Sequence, residues 1–166
     1  MIMLRLRHSH AVVATLVAAL ATTWARALAS RAAYRRLFPD VTVLNTSYPR
    51  AIAKVDRHII YRFEKRRPPG WLTLGQVPRT VVAAILMSED AGFFSHKGYE
   101  PESIRHAIEH NAKPGVKIKR GGSTITQQVV KNLFLTPEKT VSRKIRELLL
   151  SVELERKSTK KRILET

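Results

Sequence analysis

Two carboxylates in this sequence could transfer a proton or respond to a charge. Glu89 ends an apolar run that begins after Pro78 and continues into SEDAGFFSHKG. A carboxylate at the C-terminal end of a helix faces the negative end of the helix dipole, which favours proton uptake and therefore suits a general base. Glu147 follows Arg143 by one helical turn, and this spacing predicts either a partly buried carboxylate with a cationic partner or a surface ion pair. For Glu89 the alternative is a solvated helix end.

A polar stripe follows shortly after Glu89, in the segment GGSTITQQVVKNLFL. Helical spacing places four of its side chains along one face: Thr124, Gln127, Gln128 and Lys131. Two amides, a hydroxyl and an ammonium can bind sugar hydroxyls and phosphate oxygens, whereas a merely solvated face usually carries Glu and Lys. Gly121 and Gly122 precede this helix and offer backbone N–H groups at its N-terminus, which favours anion binding. A basic loop leads into it, with Lys117, Lys119 and Arg120.

A third pattern permits a different chemistry. His106, Glu109 and His110 fit H-x-x-E-H, which puts two imidazoles on one helix face where they could bind zinc. Only three positions are specified and a third ligand is needed, so a zinc peptidase is a minor alternative.

The elements that must position these residues are predicted to be mainly α-helices. The apolar periodicity past residue 70 indicates five helices. The first covers Val81 to Met87, the second is opened by Pro101, and the third extends from a Ser123 cap to about Leu135. The fifth begins at Ser158, and the fourth carries the apolar stripe Val141, Ile145, Leu148, Leu149 and Val152. The fourth should be buried on two sides, since Leu150 and Leu154 share the side of Glu147. Arg50 to Arg62 could hold a strand or a helix, and Glu64 to Gly70 reads as a linker.

Composition limits the classes of function. The 166 residues contain 30 Lys+Arg against 13 Asp+Glu, a formal net charge of +17, with 44% hydrophobic residues and no cysteine. Such a chain can build a core, and it lacks a disulfide framework and a cysteine nucleophile. Its charge predicts an anionic partner, such as nucleic acid, anionic lipid or a phosphorylated substrate.

An export segment is predicted at the N-terminus. An uncharged run extends from Ala11 to Ala25 between basic residues, which suits a signal-peptide core or a tilted anchor. We therefore divide the chain into a cytoplasmic tail (1–10), a transmembrane anchor or signal segment (11–29) and a basic juxtamembrane region with linker (30–70). Nucleic acid is not the expected partner, because it explains neither the export segment nor the paired glutamines.

The motifs past Trp71 resemble those of the peptidoglycan glycosyltransferase family. This family comprises the transglycosylase modules of class A penicillin-binding proteins and the monofunctional membrane-anchored enzymes. The matching blocks are Ser88-Glu89-Asp90…Phe93…His96-Lys97-Gly98, Gly121 to Gln128 with Lys131-Asn132, Arg143-Lys144…Glu147, and Lys161…Ile163-Leu164-Glu165. Their order and length make the resemblance specific, and residues 71–166 are expected to be the N-terminal part of the glycosyltransferase domain.

The resemblance implies a fold, a reaction and a site. The fold would be mainly α and lysozyme-like, with two lobes and a cleft. The reaction would be polymerisation of lipid II into β-1,4-linked glycan strands, with inversion and release of undecaprenyl pyrophosphate. Glu89 would be the general base on the acceptor 4-hydroxyl, and Glu147 the second catalytic carboxylate at the donor site. The substrate-binding residues would be Asp90, Phe93, His96, Ser123, Thr124, Gln127, Gln128, Lys131, Lys139 and Arg143.

The resemblance also implies a location and partners. No cofactor is required, although Mg or Mn could share the neutralisation of the pyrophosphate with Lys131 and Lys139. The partners would be lipid II, the growing glycan strand, membrane lipids, and proteins of cell-wall synthesis or division. The location would be the bacterial inner membrane, single-pass, with the catalytic part on the periplasmic side.

One departure from the family leads to a separate expectation. The family continues past the Ile-Leu-Glu block with a Tyr-Leu-Asn segment and further helices, whereas this chain ends at Thr166. We therefore expect an incomplete domain that is unstable or inactive by itself. A non-catalytic wall- or lipid-binding module and a lysozyme-type glycoside hydrolase are the alternative functions.

Overall fold

The computed structural model describes residue 35, residues 37–56 and residues 58–166. The predicted cytoplasmic tail and the predicted anchor or signal segment, residues 11–29, lie outside the described residues. Within the described part, no helix has both the length and the apolar character needed to cross a bilayer. The following description concerns the unit formed by Asp40–Thr166.

A β-hairpin precedes a series of helices. The strands are β1 (Tyr48–Val55) and β2 (His58–Glu64), and the helices are α1 (Arg79–Glu89), α2 (Pro101–Asn111), α3 (Ile125–Phe134), α4 (Val141–Lys157) and α5 (Lys160–Glu165). Short 3₁₀ helices span Val41–Asn45 and Leu74–Gln76. The prediction of a mainly helical fold is thus confirmed for this unit, with a small two-stranded sheet added.

The core lies where α3 and α4 pack together with α5 and the first 3₁₀ helix. Its central side chains are at most 1% exposed: Val41, Leu44, Phe93, Val130, Leu150, Leu154 and Ile163. By contrast, α1 contains no fully buried residue and α2 buries only Ala107. The core therefore fixes α3 and α4, which carry the predicted polar stripe and the second carboxylate.

The expectation that the fourth predicted helix is buried on two sides is wrong for the described unit. The side of α4 that carries Glu147, Leu150 and Leu154 is buried. The opposite stripe is largely exposed: Val141 is 78% and Ile145 54% exposed. One apolar side suffices to pack against α3, and the sequence pattern alone did not indicate which side that is.

The segment from Arg50 to Arg62, for which the sequence allowed a strand or a helix, is an antiparallel hairpin. The strand pairing runs from Tyr48 opposite Glu64 to Val55 opposite His58, with a bulge near Ile52. At the base of the hairpin, the ring of Phe63 stacks on that of Phe134, with 5.3 Å between centroids. This contact attaches β2 to the end of α3.

Candidate active site

Glu89 is the last residue of α1, and its side chain is exposed between two cavities. The cavities have volumes of about 490 Å³ and about 360 Å³, and Glu89 lines both of them. At the start of α3, Ile125 lines the larger cavity and Thr124 the smaller one. The amide Nε2 of Gln128 donates a hydrogen bond of 2.8 Å to Glu89 Oε2. Gln128 of the polar stripe thus holds one carboxylate oxygen, and the other has no hydrogen-bond partner among the described residues.

Asp90, the next residue, is buried and ties three segments together. His96 Nε2 lies 2.9 Å and 3.0 Å from the two Asp90 oxygens, and both side chains are 4% exposed. Because His96 Nδ1 accepts the Gly98 N–H at 3.1 Å, this hydrogen-bond pattern assigns the ring proton to Nε2, which donates to Asp90. The Ile125 N–H also donates to Asp90 Oδ2 at 2.9 Å, so Asp90 fixes the start of α3 beside Glu89.

The N-cap of α3 is Thr124, so the prediction of a Ser123 cap is wrong by one residue. The Thr124 hydroxyl accepts the Gln127 N–H, and the Gln127 side chain accepts the Thr124 N–H, forming a capping box. The same hydroxyl donates to the Gly98 carbonyl at 2.8 Å. Ser123 instead accepts a hydrogen bond from Lys144 Nζ at 2.9 Å.

Glu147 is a buried carboxylate between two cations. Its side chain is 2% exposed, Arg143 Nη1 donates to Oε2 at 2.6 Å, and Lys144 Nζ pairs with Oε1. Arg143 is 14% exposed and Lys144 46% exposed. Of the two alternatives that the sequence left open, the structure therefore favours the buried pair over the surface pair. Both Glu147 oxygens are occupied by protein cations, and the Lys144 ammonium connects this cluster to Ser123.

Lys131 and Lys139 differ from the cations around Glu147. Both side chains are exposed, and neither makes a hydrogen bond or an ion pair with another residue of the described part. Lys131 follows Gln128 by three residues on α3, so the two side chains are neighbours on one helix face. These ammonium groups are available to an anionic ligand.

The two cavities beside Glu89 differ in chemistry. The larger is mainly apolar, and its walls include Trp71, Ile85, Val129, Leu133 and Ile163. The smaller is more polar and is lined by Glu100, Glu102, His106, and Gly121 to Thr124. A hydrogen bond from Arg105, with its charge, holds the pKa of Glu102 below its usual value, so this carboxylate is ionised at neutral pH. Glu89 therefore separates an apolar groove from a polar pocket.

Comparison with known proteins identifies the family. The transglycosylase family model matches residues 56–166, which is more than half of the chain. This chain belongs to the transglycosylase family. It is 40% identical over 153 residues to a biosynthetic peptidoglycan transglycosylase of Paraburkholderia xenovorans (strain LB400), covering 89% of this chain and 60% of that protein. It is also 40% identical over 131 residues to penicillin-binding protein 1A of Escherichia coli (strain K12), covering 76% of this chain and 15% of that protein.

A shorter match extends the comparison to a third organism. Penicillin-binding protein 1A of Aquifex aeolicus (strain VF5) is 44% identical over 95 residues, covering 57% of this chain and 13% of that protein. This chain thus spans about 60% of the length of its Paraburkholderia relative.

Two residues that position the candidate site, Gly98 and Lys144, were not singled out as site residues from the sequence, and Gly122 was singled out only for its backbone N–H group. Gly98 has a φ of +103°, and an added Cβ would lie 2.8 Å from the backbone of Ser151. At Gly122 a Cβ would lie 2.8 Å from the Ser103 carbonyl oxygen. Lys144 was detectable in principle, because its spacing of three from Glu147 predicts a contact along one helix face.

The side chains of the H-x-x-E-H pattern on α2 have other partners in this structure. Glu109 pairs with Arg105 at 3.2 Å, and His110 Nε2 lies 3.2 Å from the Ile118 carbonyl oxygen. Among the described residues, no group of three or more His, Cys, Asp or Glu side chains could hold a metal ion. The helix face that carries the pattern is thus used for contacts within the protein.

Proposed function

We propose that this chain carries the catalytic centre of a peptidoglycan glycosyltransferase that polymerises lipid II. The acceptor 4-hydroxyl oxygen attacks the anomeric carbon of the donor, a β-1,4 bond forms with inversion, and the bond to undecaprenyl pyrophosphate breaks. The acceptor proton passes to a general base, and the pyrophosphate leaves with the bonding electron pair. The mainly helical unit is part of a lysozyme-like domain with two lobes and a cleft.

The observation that carries the proposal is the position of Glu89 between an apolar groove and a polar pocket. One carboxylate oxygen accepts the Gln128 amide at 2.8 Å, which fixes its direction while the other oxygen remains open to a hydroxyl group. A positioned carboxylate within hydrogen-bond reach of a sugar hydroxyl can remove its proton in the transition state. Lys131, one turn along α3, and Lys139 supply free positive charge for the pyrophosphate.

Glu147 acts in this proposal through the cations that surround it. Its oxygens are buried and paired with Arg143 and Lys144, so its role at the donor site is to hold these two side chains in place. Lys144 is 46% exposed and also contacts Ser123, at the edge of the polar pocket. Glu147 is therefore a positioning residue for cations that face the pyrophosphate.

A further group of predicted substrate-binding residues supports the site from inside. These side chains are at most 8% exposed: Asp90, Phe93, His96, Thr124 and Gln127. Their hydrogen bonds and ring contacts join the turn after α1 to the start of α3. In the proposed function they keep Glu89 within hydrogen-bond distance of Gln128.

The substrate also suggests a location. Lipid II resides in the membrane, so an anchor formed by residues 11–29 would place the catalytic part beside it, on the periplasmic side of the bacterial inner membrane. The growing glycan strand, membrane lipids, and proteins of cell-wall synthesis or division are the proposed partners.

The proposal is tested with two substrates. Purified chain is incubated with lipid II and, separately, with preformed glycan, and the products are separated by size. Polymer formed from lipid II supports the glycosyltransferase, cleavage of glycan supports a lysozyme-type hydrolase, and binding without turnover supports a non-catalytic module. A chimera in which residues 56–166 replace the matching segment of the Paraburkholderia relative is assayed in parallel, because it places these residues in a longer chain.

A further inference from the structure

The distal half of the β-hairpin carries apolar side chains that the described unit leaves about half exposed. Ile52 is 49%, Val55 55%, Ile59 38% and Ile60 40% exposed. The base, by contrast, is fixed by the stacking of Phe63 on Phe134 of α3 and by the contact of Tyr48 with Trp71, whose ring centroids are 5.0 Å apart. Since a two-stranded hairpin is only marginally stable by itself, exposed apolar groups at its far end indicate a binding surface.

The strand register divides these side chains between two faces. Residues two apart on a strand share a face of the sheet, and so do residues that are directly paired across the strands. Ile60 therefore shares a face with its partner Ala53, and with Val55, His58 and Arg62. We call this set, together with Arg50 opposite Arg62, the outer face. Ile59 lies on the other face with Tyr61, which lines the apolar groove, and with Phe63. By the same register, Tyr48 and Glu64 form the base of this face, where Tyr48 contacts Trp71 and Arg162 of α5 and Glu64 pairs with Arg50. The distal part of the outer face lies beyond these contacts.

The charge of the hairpin indicates what binds there. Residues 48–64 of the hairpin contain four Lys and Arg against two Asp and Glu, and Lys65, Arg66 and Arg67 follow directly after it. Arg62 follows Ile60 by two residues, about 7 Å along the strand, so its long side chain can reach a phosphate while Ile60 enters an apolar layer. Apolar groups beside guanidinium groups on one face fit the boundary between acyl chains and anionic headgroups.

We infer that the outer face of the hairpin lies flat on an anionic lipid surface. The charge of Asp56 at the turn disfavours insertion of the tip, and this favours the flat orientation. Pairing of the β1 edge with a strand of another protein is less favoured, because the bulge near Ile52 and Pro49 both interrupt that edge. The inference adds a second membrane contact to the proposed enzyme and does not depend on its catalytic activity.

The test uses the absence of cysteine from the sequence. Ile60→Cys and Ile59→Cys are introduced one at a time into the full chain and labelled with an environment-sensitive fluorophore. The two positions are adjacent and equally exposed but lie on opposite faces, so each is the matched control of the other. Both variants are reconstituted into vesicles of phosphatidylethanolamine with phosphatidylglycerol, and into vesicles of phosphatidylcholine alone. Circular dichroism verifies that the helical content of each variant is unchanged.

In the anionic vesicles the label at I60C should shift to the blue, and acyl-chain nitroxide lipids should quench it about threefold more strongly than the label at I59C. Phosphatidylcholine vesicles, or the additional changes Arg50→Glu and Arg62→Glu, should abolish this difference. Equal quenching at both positions would show insertion of the tip, and no quenching at either would show that no lipid binds; both results overturn the inference. A blue shift that grows with protein concentration in detergent would indicate a second copy of the chain and would also overturn it.

Discussion

The most informative stability prediction concerns the buried carboxylate of α4. Glu147→Gln keeps the size of the side chain but removes the charge that neutralises Arg143 and Lys144. Removing one partner of a buried ion pair costs about 3–5 kcal/mol, because the other charge stays buried. Arg143 is 14% exposed, whereas Lys144 is 46% exposed and can turn towards water. Since Gln still accepts one hydrogen bond, we expect a loss near the lower end, about 3 kcal/mol of the free energy of unfolding.

The chain offers a matched control for this change. Arg105 and Glu109 on α2 have the same order and the same spacing of four as Arg143 and Glu147, but their side chains are 57% and 56% exposed. Exposed pairs contribute at most about 1 kcal/mol, so Glu109→Gln should change the free energy of unfolding by less than about 0.5 kcal/mol. The comparison therefore separates burial from spacing.

The assay is urea unfolding followed by the circular dichroism of the helices. At an m-value of about 2 kcal/mol/M, a loss of about 3 kcal/mol lowers the midpoint by about 1.5 M. Adding Arg143→Met to E147Q should recover part of the loss, because the unpaired buried charge is then gone. Equal midpoints for E147Q and E109Q would refute the argument that burial of the Glu147 cluster governs its contribution.

Three further predictions follow from other parts of the site. Gln128→Leu in the chimera should lower kcat roughly tenfold or more with a smaller change in KM, because Glu89 loses a charged hydrogen bond that fixes its direction; an unchanged kcat would contradict this. Gly98→Ala should lower the free energy of unfolding by about 2 kcal/mol or more, whereas Gly75→Ala, which meets no atom within 4 Å, should change it little; urea midpoints compare the two. Arg105 holds the pKa of Glu102 low, so the ionised Glu102 carboxylate should contribute slightly to the free energy of unfolding. This contribution should be present above the ordinary pKa of a glutamate and lost as the pH falls through the lowered pKa of Glu102. NMR titration of the Glu102 carboxyl with and without Arg105→Gln measures this, and identical curves would count against it.

The position of Glu89 could be predicted from the sequence, because it depends on local periodicity. An apolar run after a proline predicts a helix, and the helix must end near the following polar residues. The N-cap of α3 was also predictable within one residue. Gln127 lies three residues after Thr124, and this capping-box spacing would have favoured Thr124 over Ser123.

The environment of Glu147 could not be predicted, because it depends on packing between distant segments. Both sides of α4 are apolar, and only the position of α3 and the first 3₁₀ helix buries Leu150 and Leu154 rather than Ile145. The Asp90–His96 contact likewise depends on a turn outside any helix, which the positive φ of Gly98 closes. The basic region before residue 70 shows no clear hydrophobic periodicity. The hairpin that it forms is attached mainly through aromatic contacts at its base.

The central claim is that Glu89 is the general base of a glycosyltransferase centre formed by these residues. The most direct measurement is the release of undecaprenyl pyrophosphate from lipid II by the chimera that carries residues 56–166, with and without Glu89→Gln. We predict that the chimera forms polymer and releases undecaprenyl pyrophosphate, and that E89Q loses about 100-fold or more in kcat with its fold intact. Undiminished turnover by E89Q would contradict the claim.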